Sequence, residues 1–281
     1  VNTSAGPHSV DLLIDRIGDA TTRLLASASA LTDQQAREAS LLPGWSRGHV
    51  LTHVARNADG LQNLLIWAST GEETPQYPSL AAREEQIEAG AGRSAAELAA
   101  DIAESAQAFV ARARELPEQA WLTEVRGSRG PSHPAWFTLH RRLFEVEIHH
   151  ADLAAGYQPS DWPEWFITEQ LYRITGELAG NPATPAALLT DSSTGRQYLL
   201  RRAAYAKLAA AAGPDHEAET GHEAEPGHEA EPGDETETAA APDLAITGPG
   251  DLLLAWLLGR DSGADLTTDP AGSLPVVPSY G

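Results

Sequence analysis

Apolar residues recur close to every 3.6 positions through several long stretches of this chain, the pattern of helices that bury one face. Residues 9–31 place Leu12, Leu13, Ile17, Leu24, Leu25 and Leu31 on that period. Pro43 and Gly44 then break the chain, and Ser46 is suited to cap a helix predicted from Arg47 to Thr70. Val50, Val54, Leu61 and Leu64 form its apolar face. After the polar turn GEETPQYPS come a short helix around 80–90 and a longer one near 94–115, rich in Ala, Leu and Glu. Pro131 and Pro134 interrupt the chain before a helix over 135–155. A last one, about 163–180, contains Trp165, Phe166, Leu171, Ile174 and Leu178. Long helices joined by short loops predict an up-and-down bundle over residues 1–182.

Beyond Gly180 the texture changes. ALLTD (187–191) and QYLLRR (197–202), separated by SSTGR, predict a hairpin. DLAITG (243–248) predicts a third strand, and GDLLLAWLLGR (250–260) a short helix. Residues 183–281 are therefore expected to form a smaller α/β domain, which makes the fold class α plus α/β. Between the strands, DHEAET, GHEAEP, GHEAEP and GDETET run in tandem over 215–238. They are too polar and too densely charged to offset chain entropy, so this insert is expected to be disordered. Its His216, His222 and His228 lack a fixed geometry and read as parts of a surface loop rather than as ligands.

The net charge of −21 changes this picture only once it is located. Ten acids and no Lys or Arg fall within 213–238, and removing those acids leaves −11. A surface of that sign repels phosphate backbones, so nucleic acid is disfavoured as a partner. Cysteine is absent, which excludes disulfides, Cys-ligated zinc and a protein thiol nucleophile. Any thiol chemistry must draw its thiol from a cofactor. No run of 18 apolar residues occurs, and no charged segment leading into an apolar one opens the chain. A cytoplasmic, monomeric protein without membrane association is the expectation.

Glu145 and His149 form Glu-x-x-x-His on a predicted helix, so both project from one face. A carboxylate and an imidazole so placed supply half a site for zinc or a similar divalent ion. His53, on the Arg47–Thr70 helix, is the best third ligand, and three protein ligands leave coordination positions open for chemistry. Spacing alone leaves the alternative of a surface hydrogen-bonded pair. His49, one turn before His53, competes with it for the ligand role, while His140 and His150 lie nearby on the other helix. Asn57, one turn beyond His53, is placed either to contact a thiol or substrate or to bridge two helices. Trp45 and Trp67 read as core or loop anchors.

The block GWSRGHVLTHVARNADGLQNLLIWASTGEETPQYPS, followed far downstream by FEVEIHHADL, resembles the mycothiol-dependent maleylpyruvate isomerase family. The resemblance covers most of residues 10–180 and resumes around 243–265. It implies a DinB-like four-helix bundle followed by a small C-terminal α/β domain. It also implies zinc bound by His53, Glu145 and His149, with mycothiol as the thiol cofactor. An arginine of the second domain is implicated in that family's activity, and LLAWLLGRDSG places the role on Arg260. The acidic hexads depart from the family pattern.

The implied reaction converts maleylpyruvate to fumarylpyruvate, a step in gentisate-type aromatic breakdown. A cis double bond cannot rotate, so a nucleophile must add, permit rotation and leave. The small dianionic substrate needs a local cation, and Arg260 is the candidate. By itself, an arginine at a helix end is equally suited to meeting C-terminal carbonyls. Two rivals stand beside this reading: another mycothiol-dependent S-transferase or thiol-exchange enzyme on the same scaffold, and a non-enzymatic metal-binding regulatory bundle.

Overall fold

The computed structural model describes residues 7–201 and 244–278, with side chains from residue 10. The expected disorder of the hexad insert, with His216, His222 and His228, lies outside the described residues. The chain divides into two compact units, Val1–Gln158 and Pro159–Gly281.

The first unit contains α1 (Pro7–Ser29), α2 (Asp33–Arg37), α3 (Arg47–Thr70), α4 (Leu80–Ala91), α5 (Ala95–Glu115) and α6 (Phe137–Asp152). A short antiparallel hairpin, β1 (Glu124–Arg126) and β2 (Ser132–Pro134), links α5 to α6. The bundle is a ring of four helices: α1 packs on α5 and α6, and α3 packs on the same two from the opposite side. Its core is built from helical-period residues such as Ile14, Ile17, Leu24, Leu51, Leu61, Leu98, Phe109 and Leu143. Leu12, expected to face inward, is 49% exposed, and Ile14 takes the buried position instead.

Side-chain pairs fix the helix directions. Arg23 reaches Glu147 and Ser27 reaches His150, so α1 and α6 run together. Arg56 reaches Asp101 and Gln62 reaches the Ala108 carbonyl, so α3 and α5 run together. Arg47 meets Leu153 while His53 meets His149, so α3 and α6 are antiparallel. In chain order the bundle is up, down, down, up, which corrects the simple alternation read from the sequence. The reason is α4, which runs back along α3 and returns the chain to the end where α3 began. Two glycines permit that approach. A Cβ at Gly48 would collide with the Ala91 carbonyl oxygen, and one at Gly60 would stand 2.7 Å from the Tyr77 ring.

The ends of α3 follow local rules. Ser46 caps it, as the sequence suggests, in a capping box closed by His49, and Gly71 ends it in the left-handed region with φ 75°.

The second unit contains α7 (Glu164–Ala179), β3 (Leu188–Asp191), β4 (Gln197–Leu199), β5 (Ala245–Gly248), α8 (Gly250–Leu257) and β6 (Thr267–Asp269). The strands lie in the order β4-β3-β5-β6, with β3 and β5 parallel and both outer pairings antiparallel. Helix α7 packs on α8 and β4, so it belongs to this unit rather than to the bundle. The expected boundary after 182 therefore moves to 158/159. The apolar stripe of α7 announces a buried face but not the partner that buries it. Among the described residues no helix is long and apolar enough to cross a membrane.

Candidate metal centre

The antiparallel approach of α3 and α6 brings His53, Glu145 and His149 together. His53 Nε2 stands 3.0 Å from Glu145 Oε2 and 3.1 Å from His149 Nε2, and His149 Nε2 is 3.2 Å from the same carboxylate oxygen. Three ligand atoms with these separations leave a point about 2.05 Å from each, the bond length zinc makes to imidazole and carboxylate. Ligands of a tetrahedral zinc stand about 3.3 Å apart, close to the observed edges. The donor set and its size thus fit a divalent ion, and the three residues could hold one. Side-chain exposure rises from 5% at His53 to 14% at His149 and 23% at Glu145, so the group opens to solvent on the carboxylate side.

The surroundings orient both imidazoles. His149 Nδ1 lies 2.8 Å from Asp152 Oδ2, and the Asp152 side chain is wholly buried. That carboxylate holds a proton on Nδ1 and turns Nε2 toward the group. Burial opposes the charge on His149, yet Asp152 and Glu145 outweigh it and raise its pKa to about 9. Burial pulls the His53 imidazole down to about 4, more than Glu145 restores. Burial by itself would raise Glu145, but hydrogen bonding to the two histidines holds its carboxyl well below the usual range. At His53 Nδ1, Arg83 Nη2 donates across 3.0 Å. For a neutral His53 to offer its Nε2 lone pair, its proton must sit on Nδ1. Arg83 must then turn away, because a guanidinium has no acceptor.

The competing histidines are occupied elsewhere. His49 Nδ1 accepts from the Ser46 backbone N–H, and its Nε2 lies 3.3 Å from Glu88. His150 Nε2 is 2.7 Å from Ser27 Oγ, and the ring stacks on Tyr157 with centroids 3.8 Å apart. His140 stacks with Phe137. Trp45 lies edge-on to His53 at 5.5 Å and also packs on His49. Trp67 is half-buried in the last turn of α3.

Asn57 Oδ1 accepts from Arg142 Nη1 at 3.0 Å, the helix-bridging alternative, which leaves its amide N–H groups for any ligand. Arg260 lies just past α8 in the second unit. Its Nη1 donates to the Leu258 carbonyl, the helix-end contact, and the residue also lines a cleft of about 570 Å³ with Trp256, Leu274 and Val276.

Sequence reasoning missed Asp152, Arg83, Tyr77 and Arg142 around the group. Asp152 was findable, since it falls three residues after His149 on one helix face. Arg83 reaches His53 only because α4 doubles back along α3, and Tyr77 acts on Glu145 from the loop before α4, which no local pattern reports.

A four-helix bundle with a His/Glu/His group on two antiparallel helices, followed by a small α/β unit, defines a helical-bundle protein with a group that could hold a metal ion. Residues 17–154 match the model of the mycothiol maleylpyruvate isomerase N-terminal domain, and the bundle belongs to that family. The whole chain is similar to the crystal structure of the mycothiol-dependent maleylpyruvate isomerase. The TM-score is 0.75 at 27% identity, with 96% of this chain and 97% of that one covered. A histidine-to-alanine mutant of that enzyme matches equally well. Comparison with curated proteins finds no relative.

Proposed function

We propose that this chain is a mycothiol-dependent cis-trans isomerase that converts maleylpyruvate to fumarylpyruvate, with zinc held by His53, Glu145 and His149. The observation that carries the reading is the convergence of those three ligand atoms within 3.2 Å, inside a bundle of the isomerase's own domain family. The ion, when bound, supplies a Lewis acid that lowers the pKa of a thiol at neutral pH.

The chain's residues do the rest. His149 is oriented by Asp152, so its Nε2 is aimed at the group before anything binds. Glu145, on the solvent side, leaves an open approach for thiol and substrate. The chain contains no cysteine, so it offers no thiol nucleophile for opening the cis double bond, and mycothiol fills that role. Arg260, in its partly apolar cleft, is the proposed anchor for a substrate carboxylate. Asn57 retains a weaker claim to contact the thiol, through its amide N–H groups.

The test is initial rates on maleylpyruvate at controlled zinc content, with and without mycothiol. Activity should require both and saturate with thiol. His53→Ala, Glu145→Ala and His149→Ala should each lose most of the bound ion and the activity. Full turnover without added thiol would overturn the mechanism. Retention of the ion by all three variants would overturn the ligand assignment.

A further inference from the structure

The largest side chain that is wholly buried among the described residues is a charged one, Arg142. It occupies the next layer of the α3–α6 contact below the ligand group. Arg142 precedes Glu145 by three positions on α6, and it meets Val54 and Asn57, the residues just after His53 on α3. Its Nη1 donates to the Val54 carbonyl at 2.7 Å and to Asn57 Oδ1 at 3.0 Å. Its Nε and Nη2 have no hydrogen-bond partner among the described residues. No ion pair accompanies it among the described residues. Burial lowers its pKa to about 10, which leaves it charged at neutral pH.

A buried guanidinium with two unmet donors is costly, and packing alone does not call for one. A leucine or methionine would fill the same contact between α3 and α6 at lower cost. What the charge does bring is a fixed positive potential one helical turn, about 5 Å, behind the ligands. The titratable groups facing it are Glu145 on its own helix, Asp59 on α3, and the Tyr77 hydroxyl from the loop after α3, which burial keeps neutral. Arg83 and Asp152 act on the ligand histidines from the group's flanks.

We propose that Arg142 is an electrostatic positioning residue. Its buried charge offsets that of Glu145, so the occupied centre keeps a surplus of positive charge for an anionic ligand such as a thiolate. The device weakens cation binding somewhat and strengthens anion binding at the ion. The proposal rests on the reading of His53, Glu145 and His149 as an ion site, and it reverses the sign expected of a residue that merely supports the fold.

The experiment uses the full chain with Zn2+ in competition with a chromophoric chelator, and with Co2+ titrated by thiocyanate and followed in the visible spectrum. The variants are Arg142→Gln, Arg142→Met and Arg142→Lys, each checked by thermal melting. The two neutral variants should bind Zn2+ at least tenfold more tightly and thiocyanate at least tenfold more weakly. A single and a double charge one turn apart are coupled by more than that factor at an effective dielectric constant of about 20. Arg142→Lys keeps the charge while losing the guanidinium's geometry, and should stay within about threefold of wild type in both titrations. If the neutral variants fail to fold, Arg142→Lys decides. More than a tenfold loss of Zn2+ affinity in it would mark a structural prop and overturn the proposal. Neutral variants that fold and bind Zn2+ no more tightly than wild type overturn it as well. A wild-type chain that binds no ion would instead defeat the reading of the ligand group, and the proposal with it.

Discussion

Replacing Asp152 by alanine should weaken divalent-ion binding by about 10- to 100-fold, the usual cost of removing a carboxylate that orients a ligating histidine. That factor corresponds to about 1.4 to 2.8 kcal/mol. The expectation rests on one contact, the 2.8 Å approach of Asp152 Oδ2 to His149 Nδ1 in a fully buried position. With the carboxylate gone, neither tautomer of His149 is favoured, and the ring loses the hydrogen bond that keeps Nε2 facing Glu145 and His53. Asp152→Asn should cost less, toward tenfold, because an amide oxygen still accepts from Nδ1 but without charge. Chelator competition at neutral pH on the full chain reads both affinities, with melting curves confirming the fold. Asp152→Ala binding the ion as tightly as wild type, with its melting unchanged, would refute the argument that His149 is aimed from behind.

Gly60→Ala should destabilise the first unit by about 1–3 kcal/mol, because the new methyl meets the Tyr77 ring at 2.7 Å. A denaturant midpoint equal to wild type would show that the GEETPQYPS loop docks more loosely than described. Metal-stripped protein should lose stability as pH rises. The folded-state pKa of His149 is raised to about 9, so its contribution is fully present below the unfolded value near 6.5 and disappears through about 9. Urea unfolding with a chelator present, between pH 6 and pH 9.5, checks the slope, and a flat profile would contradict it. Arg260→Ala should keep the ion yet lower turnover on maleylpyruvate by roughly two to three orders of magnitude. Arg260→Lys should recover only part of this, and an unimpaired Arg260→Ala would remove the residue from the reaction.

Much of the fold is legible in the sequence because its signals are local. The start of α3 is announced by Ser46 after Pro43-Gly44, and the structure places the helix at Arg47–Thr70, the range that the hydrophobic period predicts. The β3–β4 hairpin and β5 follow from short apolar runs around SSTGR and DLAITG. Strands β1, β2 and β6 are three residues each, too short for alternation to show. The up-down-down-up order escapes for a different reason. It depends on α4 lying along α3, and that approach is licensed by Gly48 and Gly60, whose missing side chains leave no trace in a hydrophobic pattern. The home of α7 escapes similarly, because an amphipathic stripe fits a helix partner and a sheet partner equally well.

The site divides along the same line. Glu145 and His149 are four apart on one helix, so their shared face is a matter of period, and Asp152 extends it by one more step. His53 required a guess about which helix faces α6, and His49 competed for the role until the capping box at Ser46 engaged it. Arg142 is the hardest case. On a helical wheel it falls on the ligand face, three residues before Glu145 and seven before His149, yet an arginine there reads as a solvated charge, and nothing in its neighbours marks it as the most deeply buried cation of the bundle. Only the packing of α3 against α6 makes its charge significant. The same helix contact that brings two histidines and a glutamate within 3.2 Å of one another also closes over a guanidinium one turn away. Ligands and electrostatic environment therefore come from one interface, and a substitution that shifts α6 along α3 should disturb both together.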